Sequence, residues 1–513
     1  MLTDVETPPP SAATVADETS RAAKREEPGA LQSARNFAAR HFLRLAAISS
    51  ALLIPCFWHR YIAAGDLDSH LYNAWLVQLI YRGRAPGLYI ARQWHNVLFD
   101  YILGGLGNLF GLHAAERIGV SLAVLIFFWG AFSLVAAVTN RAPWCLTPLL
   151  AMLAFGWTFE MGFFNFYLSL GLAFFTLAVF WRGRGWERWA VLALAPLAWM
   201  AHPLGFGFLA GAAAYLALAR AISGKKQILL LAAAAGILAV AARFLAIYFP
   251  GPWAPVPGVK MMGPNQLALI EPKYWWAAGL TAATALAVLV VDIMARRRDL
   301  HFWREYGLPL QLYVAAILGV SLLPGAVHVP QFGAPVELLT ERFSLIAAIL
   351  GCCLLGVARP RRWHLVGFGA VALIYFSQLY GDTRTLVQME AQAEQLVATL
   401  PPGSRVTSAI WTTSDLPLLS NHIADRACIG HCFSFGNYEP GSGQFRVRAM
   451  PGNQIVAPDV KTSMAMQTGT YIVRAQDLPL YQIYQCTRNA PKLCLRELTL
   501  GGSSIAQPPP LAR

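Results

Sequence analysis

Long apolar runs separated by short polar connectors dominate the first 380 positions. Eleven such runs are expected to span a membrane, at 43–63, 118–139, 143–158, 164–181, 187–201, 204–221, 228–249, 275–294, 308–325, 341–358 and 363–380. About twenty apolar residues in a helix cross roughly 30 Å of hydrocarbon. One connector, 64–117, is much longer than the rest and carries its own periodicity. Within it Leu71, Trp75, Leu79 and Ile80 recur at helical spacing, which predicts an amphipathic helix over 70–81 lying in the membrane interface. A second, Gly-interrupted amphipathic stretch runs over 94–110. After Tyr380 the pattern changes. Residues 387–400 read as an amphipathic helix ended by Pro401-Pro402-Gly403, and 405–411, 444–447 and 471–475 read as strands. The expected fold is therefore an all-α polytopic membrane domain over 42–380, followed by a small α/β extracytoplasmic domain over 381–513.

Composition agrees with this reading. Apolar residues make up 56% of the 513 positions and charged residues only 13%, against about 25% charge in soluble domains. The net charge of +13 does not point to nucleic acid, because the bases fall into connectors two spans apart. Arg35, Arg40 and Arg44, then Arg182, Arg184 and Arg188, Arg220, Lys225 and Lys226, Arg296 to Arg298, and Arg359, Arg361 and Arg362 form the positive-inside pattern. With eleven spans this places the N-terminus in the cytoplasm and the C-terminal domain outside, in the cell (inner) membrane. Residues 1–41, rich in Ala, Glu, Pro and Ser, are expected to be a disordered cytoplasmic tail.

Charged groups at a membrane boundary are costly and call for a reason. The segment Gly65-Asp66-Leu67-Asp68-Ser69-His70 follows the first span directly. Either Asp66 or Asp68 could take a proton from an acceptor hydroxyl as a general base. Together they could hold a divalent cation such as magnesium or manganese. Asp68 or Ser69 could equally cap the helix that follows. Glu160, in a connector nearly free of charge, is a second candidate acid, against simple solvation at the surface. His70, Arg92, His95, His202, Lys260 and Arg342 are the candidate cations and hydrogen-bond donors on the same side, and any of them could instead be an interface anchor or a helix-end residue. Cys428, Cys432, Cys486 and Cys494 all lie in the C-terminal segment, where two disulfides are expected. Three pairings are open, and a zinc site using Cys428, Cys432 and His431 is the alternative.

One long acidic first outer loop with interfacial helices, many spans and an outer C-terminal domain resembles the GT-C superfamily of integral membrane glycosyltransferases. The residues carrying the resemblance are Gly65-Asp66-Leu67-Asp68-Ser69-His70-Leu71-Tyr72, similar to that superfamily's acidic first-loop motif, and Leu400 to Val406, similar to the junction into its soluble domains. Asp-Leu-Asp departs from the consecutive acidic pair of several subfamilies, which leaves open which aspartate is essential. The resemblance implies transfer of a sugar from a polyprenyl-phosphate-linked donor to a lipid, glycan or protein acceptor on the extracytoplasmic face. It implies that Asp66 or Asp68 is the base or metal ligand, and Glu160 matches only by position the second-loop acid of some members. Two other classes fit the membrane pattern: a lipid or solute transporter or flippase, and a non-catalytic scaffold. The nearly wholly apolar mid-span positions count against ion-coupled transport.

Overall fold

A computed structural model describes residues 30–183, 185–251, 261–268, 271–299, 302–410, 421–487 and 491–502. Helix α1 (Ala30–Leu53) begins inside the segment expected as a tail and bends at His41, where the backbone leaves helical geometry. Next come α2 (Leu67–Tyr81), strand β1 (Leu88–Ile90), α3 (Leu98–Phe110), α4 (Leu112–Thr139), α5 (Thr147–Ala154), the single turn α6 (Trp157–Glu160) and α7 (Phe164–Arg182). The chain continues through α8 (Ala195–Ala201), α9 (Pro203–Ala221), α10 (Lys225–Tyr248), α11 (Trp275–Arg296), α12 (Phe302–Leu322), α13 (Leu339–Val357) and α14 (Arg362–Val397).

Among the described residues nine helices are long and apolar enough to cross a membrane: α1, α4, α7 and α9 to α14. This is a multi-pass helical membrane protein. The two shortest expected spans, 143–158 and 187–201, are each broken into pieces. The first divides at Gly156, where a Cβ would sit 2.8 Å from the carbonyl oxygen of Gln266. The second is split into Glu187–Ala190, Val191–Leu194 and α8, with Pro196 in the first turn of α8.

Helices α4, α7 and α13 form the centre. In α7 and α13, 78% of the most apolar stretch is buried, against 6% in α1 and α10, which places those two at the periphery. Glycine lets α4 and α7 meet backbone to backbone: a Cβ on Gly130 would lie 2.4 Å from the oxygen of Gly171. Small residues at such crossings are what apolar solvent favours, because packing rather than water exclusion drives helix association there. Beside the crossing, Phe127 and Tyr167 stack at 4.3 Å.

Helix α14 has 36 residues and so is about 54 Å long. The last span and the expected helix at 387–400 are one continuous rod, which carries the C-terminal domain on its end. That domain holds β2 (Arg405–Ala409), α15 (Ile423–Cys428), β3 (Phe433–Ser434), α16 (Glu439–Ser442), β4 (Val447–Ala449), α17 (Val460–Gln467), β5 (Leu480–Gln485) and β6 (Leu493–Glu497). Its sheet has the order β3-β2-β5-β6, with β2 parallel to both neighbours and β6 antiparallel to β5. Strand β2 matches the expectation at 405, whereas the strand expected at 444–447 forms later, as β4. Residues 471–475 lead instead into a short 3-10 turn at Ala475–Asp477. Strands β5 and β6 lie outside the segments expected to be extended.

The long loop is not a separate layer. Strand β1 pairs antiparallel with β4, Leu88 opposite Ala449. Helix α2 is buried almost all round, from Leu67 to Leu79. It lies under the C-terminal domain rather than in the interface, a correction to the expected amphipathic placement. Its polar residues Asp68, Ser69, His70 and Asn73 are buried on partners within the protein, which leaves little polar face for headgroups.

The disulfides are Cys428–Cys432 and Cys486–Cys494. The second ties β5 to β6. The first removes the zinc alternative, and the His431 ring lies 2.7 Å from the carbonyl oxygen of Leu400.

Candidate functional site

The polar segment after the first span is held from below by the α6–α7 turn. Gly65 N–H donates to Glu160 O at 2.8 Å and Asp66 N–H to Met161 O at 3.1 Å. Gly162 makes this approach feasible. Its φ is +76°, and a Cβ there would lie 2.4 Å from the Asp66 nitrogen, so only glycine serves.

Asp66 occupies the N-cap position of α2 but its side chain makes no capping bond. Neither Asp68 nor Ser69 caps the helix, since both sit inside it. The Asp66 carboxylate keeps 27% exposure, and its Oδ1 lies 3.7 Å from Nε2 of His422. On the other side of that imidazole, Nδ1 meets Asp425 Oδ2 at 2.6 Å, with both side chains buried. Burial alone would push His422 down. The Asp425 hydrogen bond and charge, then Asp66 and Glu439, outweigh it and lift the imidazole to about 9. The Tyr438 ring stands 5.6 Å from His422, and burial together with the Asp66 charge holds its phenol well above the ordinary value. Arg342 lies 3.9 Å over the Phe163 ring, and its charge acts on Asp66 and Tyr438. Its buried Nε has no hydrogen-bond partner among the described residues.

A second group adjoins on α2. Ser69 Oγ donates to Glu439 Oε1 at 2.6 Å, and Asn73 donates to the other Glu439 oxygen. Burial lifts the Glu439 carboxyl to about 7 against the pull of His70 and His422. His70 Nδ1 lies 2.7 Å from Asp100 Oδ1. Burial would lower this imidazole too, but Asp100 raises it to about 9.

Asp68 points elsewhere. It is buried, and its Oδ1 accepts from Nε of Arg426 at 2.6 Å. The same guanidinium meets both oxygens of Glu116 at 3.1 Å and lies 3.5 Å from Glu390. Burial pushes the Asp68 carboxyl up to about 6 although Arg426 pulls it down. The two aspartates thus face different partners, Asp66 towards His422 and Asp68 towards Arg426. Among the described residues no group of three or more His, Cys, Asp and Glu is arranged to hold a metal.

The remaining expected residues scatter. Glu160 is 1% exposed, its Oε2 has no partner among the described residues, and burial raises its carboxyl well above the usual range. It is buried rather than solvated. His202 accepts from Leu204 N–H at 3.1 Å and caps α9. His95 packs edge-on against Trp199 at 5.7 Å, and Arg92 is exposed. Lys260 lies outside the described residues. The structure adds His422, Asp425, Arg426, Tyr438 and Glu439, none of them expected. One signal was readable: Ile423-Ala424-Asp425-Arg426-Ala427-Cys428 embeds opposite charges in an otherwise apolar helix beside a cysteine pair.

Fold and site define a multi-pass membrane protein whose α/β domain closes over a buried acidic cluster at one end of the bundle. No protein-family model and no curated protein match the chain. Among solved structures it is similar to the crystal structure of ArnT from Cupriavidus metallidurans in the apo state, with 13% identity over 88% of this chain and 93% of that one and a TM-score of 0.28.

Proposed function

We propose that this chain is a membrane glycosyltransferase of the GT-C type, moving a sugar from a polyprenyl-phosphate-linked donor to a lipid, glycan or protein acceptor on the extracytoplasmic face. The supporting observation is Asp66. It is a partly open carboxylate of the cluster, 27% exposed beside a buried His422, and it is not spent on capping α2. Asp68, committed to Arg426, is a structural residue in this reading.

In the proposed reaction Asp66 accepts the proton of an acceptor hydroxyl as that oxygen attacks the anomeric carbon. The bond from that carbon to the phosphate oxygen breaks, and the lipid phosphate leaves with the electron pair. His422, held by Asp425 at 2.6 Å, presents its Nε2 to the Asp66 carboxylate at 3.7 Å. Arg342, with an unsatisfied Nε on the same side, would meet the phosphate oxygens as a charge-assisted donor.

The test uses the full chain in detergent or nanodiscs. Lipid that co-purifies is identified by mass spectrometry, and a matching polyprenyl-phosphate sugar is supplied as donor. Asp66→Asn is expected to lower transfer by about 10²–10⁴-fold with unchanged membrane abundance. Wild-type transfer in Asp66→Asn, or vesicle uptake of a solute with no sugar transfer, would sink the proposal.

A further inference from the structure

The far ends of α4 and α13, opposite Asp66, enclose a cleft of about 100 Å³ lined by Thr139, Arg141, Trp144, Cys145, Gly356 and Arg359. Two guanidiniums share its wall. Arg141 donates to the carbonyl oxygens of Gly356 at 2.6 Å and Val357 at 3.2 Å, capping the C-terminus of α13. Arg359, with φ +56°, stands on the next turn and is 53% exposed. A third, Arg44, lies 4.0 Å over the Trp144 ring.

Helix capping accounts for Arg141 alone. It does not account for Arg359 held beside it, where burial, and then the like charge of Arg359, lower Arg141 from its ordinary value. The nearby carboxylates offset the pair only in part, because their closest contacts fall on Arg296. That residue binds Glu305 at 2.6 Å and Asp292 at 3.4 Å and lies 3.9 Å from Asp299. Arg359 shares Glu305 at 3.1 Å. Arg361 and Arg362 lie exposed just beyond. Beside the cleft Phe37 stacks on Trp144 at 5.8 Å. On the same helix Phe42 and Leu43 are 67% and 81% exposed, an apolar surface suited to acyl chains.

We propose that this cleft binds one phosphate-bearing anion, supplied by the headgroup of an anionic phospholipid or by free phosphate. Guanidinium forks match phosphate oxygens in pairs. Basic pockets between membrane helices at the positive end of a bundle meet anionic headgroups directly. Arg359 and Arg141 supply the donors, Thr139 and Trp144 the walls, and the face of α1 the path for the chains. This assignment is independent of the glycosyltransferase reading.

The experiment is native mass spectrometry of the detergent-purified full chain, titrated with phosphatidylglycerol or phosphatidylcholine, with and without millimolar inorganic phosphate. Wild type is expected to retain one phosphatidylglycerol in preference to phosphatidylcholine. Arg359→Gln and Arg44→Gln should each weaken retention about fivefold, while Arg84→Gln at the opposite end leaves it unchanged. Arg359 and Arg44 are the deciding variants because Arg141→Gln also uncaps α13. Retention that survives added phosphate identifies the headgroup as the ligand. Displacement of the lipid by phosphate, with thermal stabilisation by phosphate alone, identifies the free anion. Equal retention of the two lipids with no stabilisation by phosphate, or no response to Arg359→Gln and Arg44→Gln, overturns the proposal.

Discussion

Replacing Arg426 with methionine tests what joins the C-terminal domain to the bundle. The guanidinium reaches Asp68 on α2, Glu116 on α4 and Glu390 on α14 at 2.6, 3.1 and 3.5 Å, so one side chain of α15 ties three helices together. The three carboxylates are 2%, 1% and 4% exposed. Removing the cation strands them away from water, and breaking a buried pair in this way costs about 3–5 kcal/mol. A domain has about 5–15 kcal/mol in total, so Arg426→Met should release α15 and the domain behind it.

The loss should depend on pH. Asp68 is already raised to about 6 by burial, and without Arg426 it rises further. A carboxyl whose folded-state pKa is raised contributes stability that is fully present below its unfolded value of about 3.9 and is lost as pH rises through the folded value. Arg426→Met should therefore be weakest near pH 8 and recover part of its deficit near pH 5.5. Limited proteolysis between α14 and β6 in nanodiscs at the two pH values measures this. Adding Asp68→Asn, Glu116→Gln and Glu390→Gln to Arg426→Met should restore stability. Wild-type protection of Arg426→Met at pH 8, or an equal deficit at both pH values, refutes the reasoning.

Gly162→Ala should depress sugar transfer at least tenfold without altering a charged group, because its Cβ would press on the Asp66 nitrogen at 2.4 Å. Full activity in this variant would show that Asp66 placement does not matter. His422, raised to about 9, contributes stability that is fully present below about 6.5 and is lost as pH rises through about 9. Transfer should fall above that pH, and His422→Gln should lower the rate and remove this alkaline limb from the pH profile. Cys486→Ser with Cys494→Ser, opening a loop with a sequence separation of 8, should cost about 2 kcal/mol. Thermal melts with and without reductant would show it, and the reductant should have less effect on the variant.

Much of the scaffold was legible because lipid imposes a simple rule: a segment that crosses must be long, apolar and helical. That rule located the nine long helices within a few turns of their positions. It failed at 143–158 and 187–201, where Gly156 and Pro196 break the helix and only neighbouring backbone, such as Gln266, makes the break tolerable. It also kept α14 apart from the helix at 387–400, since nothing in hydropathy marks where a rod leaves the membrane and continues. The confinement of Cys428, Cys432, Cys486 and Cys494 to the C-terminal segment led to the expectation of two disulfides, with a zinc site as the alternative. Which partners joined was decided by α15 and by the β5–β6 register.

The segment Gly65–His70 stood out by itself, because carboxylates after an apolar helix are too costly to be incidental. What the chain could not declare is that Asp66 and Asp68 part company. On an extended backbone, residues two apart share a side. At the head of α2 they diverge by about 200°, since each residue turns the helix by about 100°. One carboxylate meets His422 and the other Arg426, and both partners lie more than 350 positions away along the chain. Local sequence determines that acids sit at this boundary; only the docking of the C-terminal domain, through its long-range contacts, decides which one is sealed and which stays open.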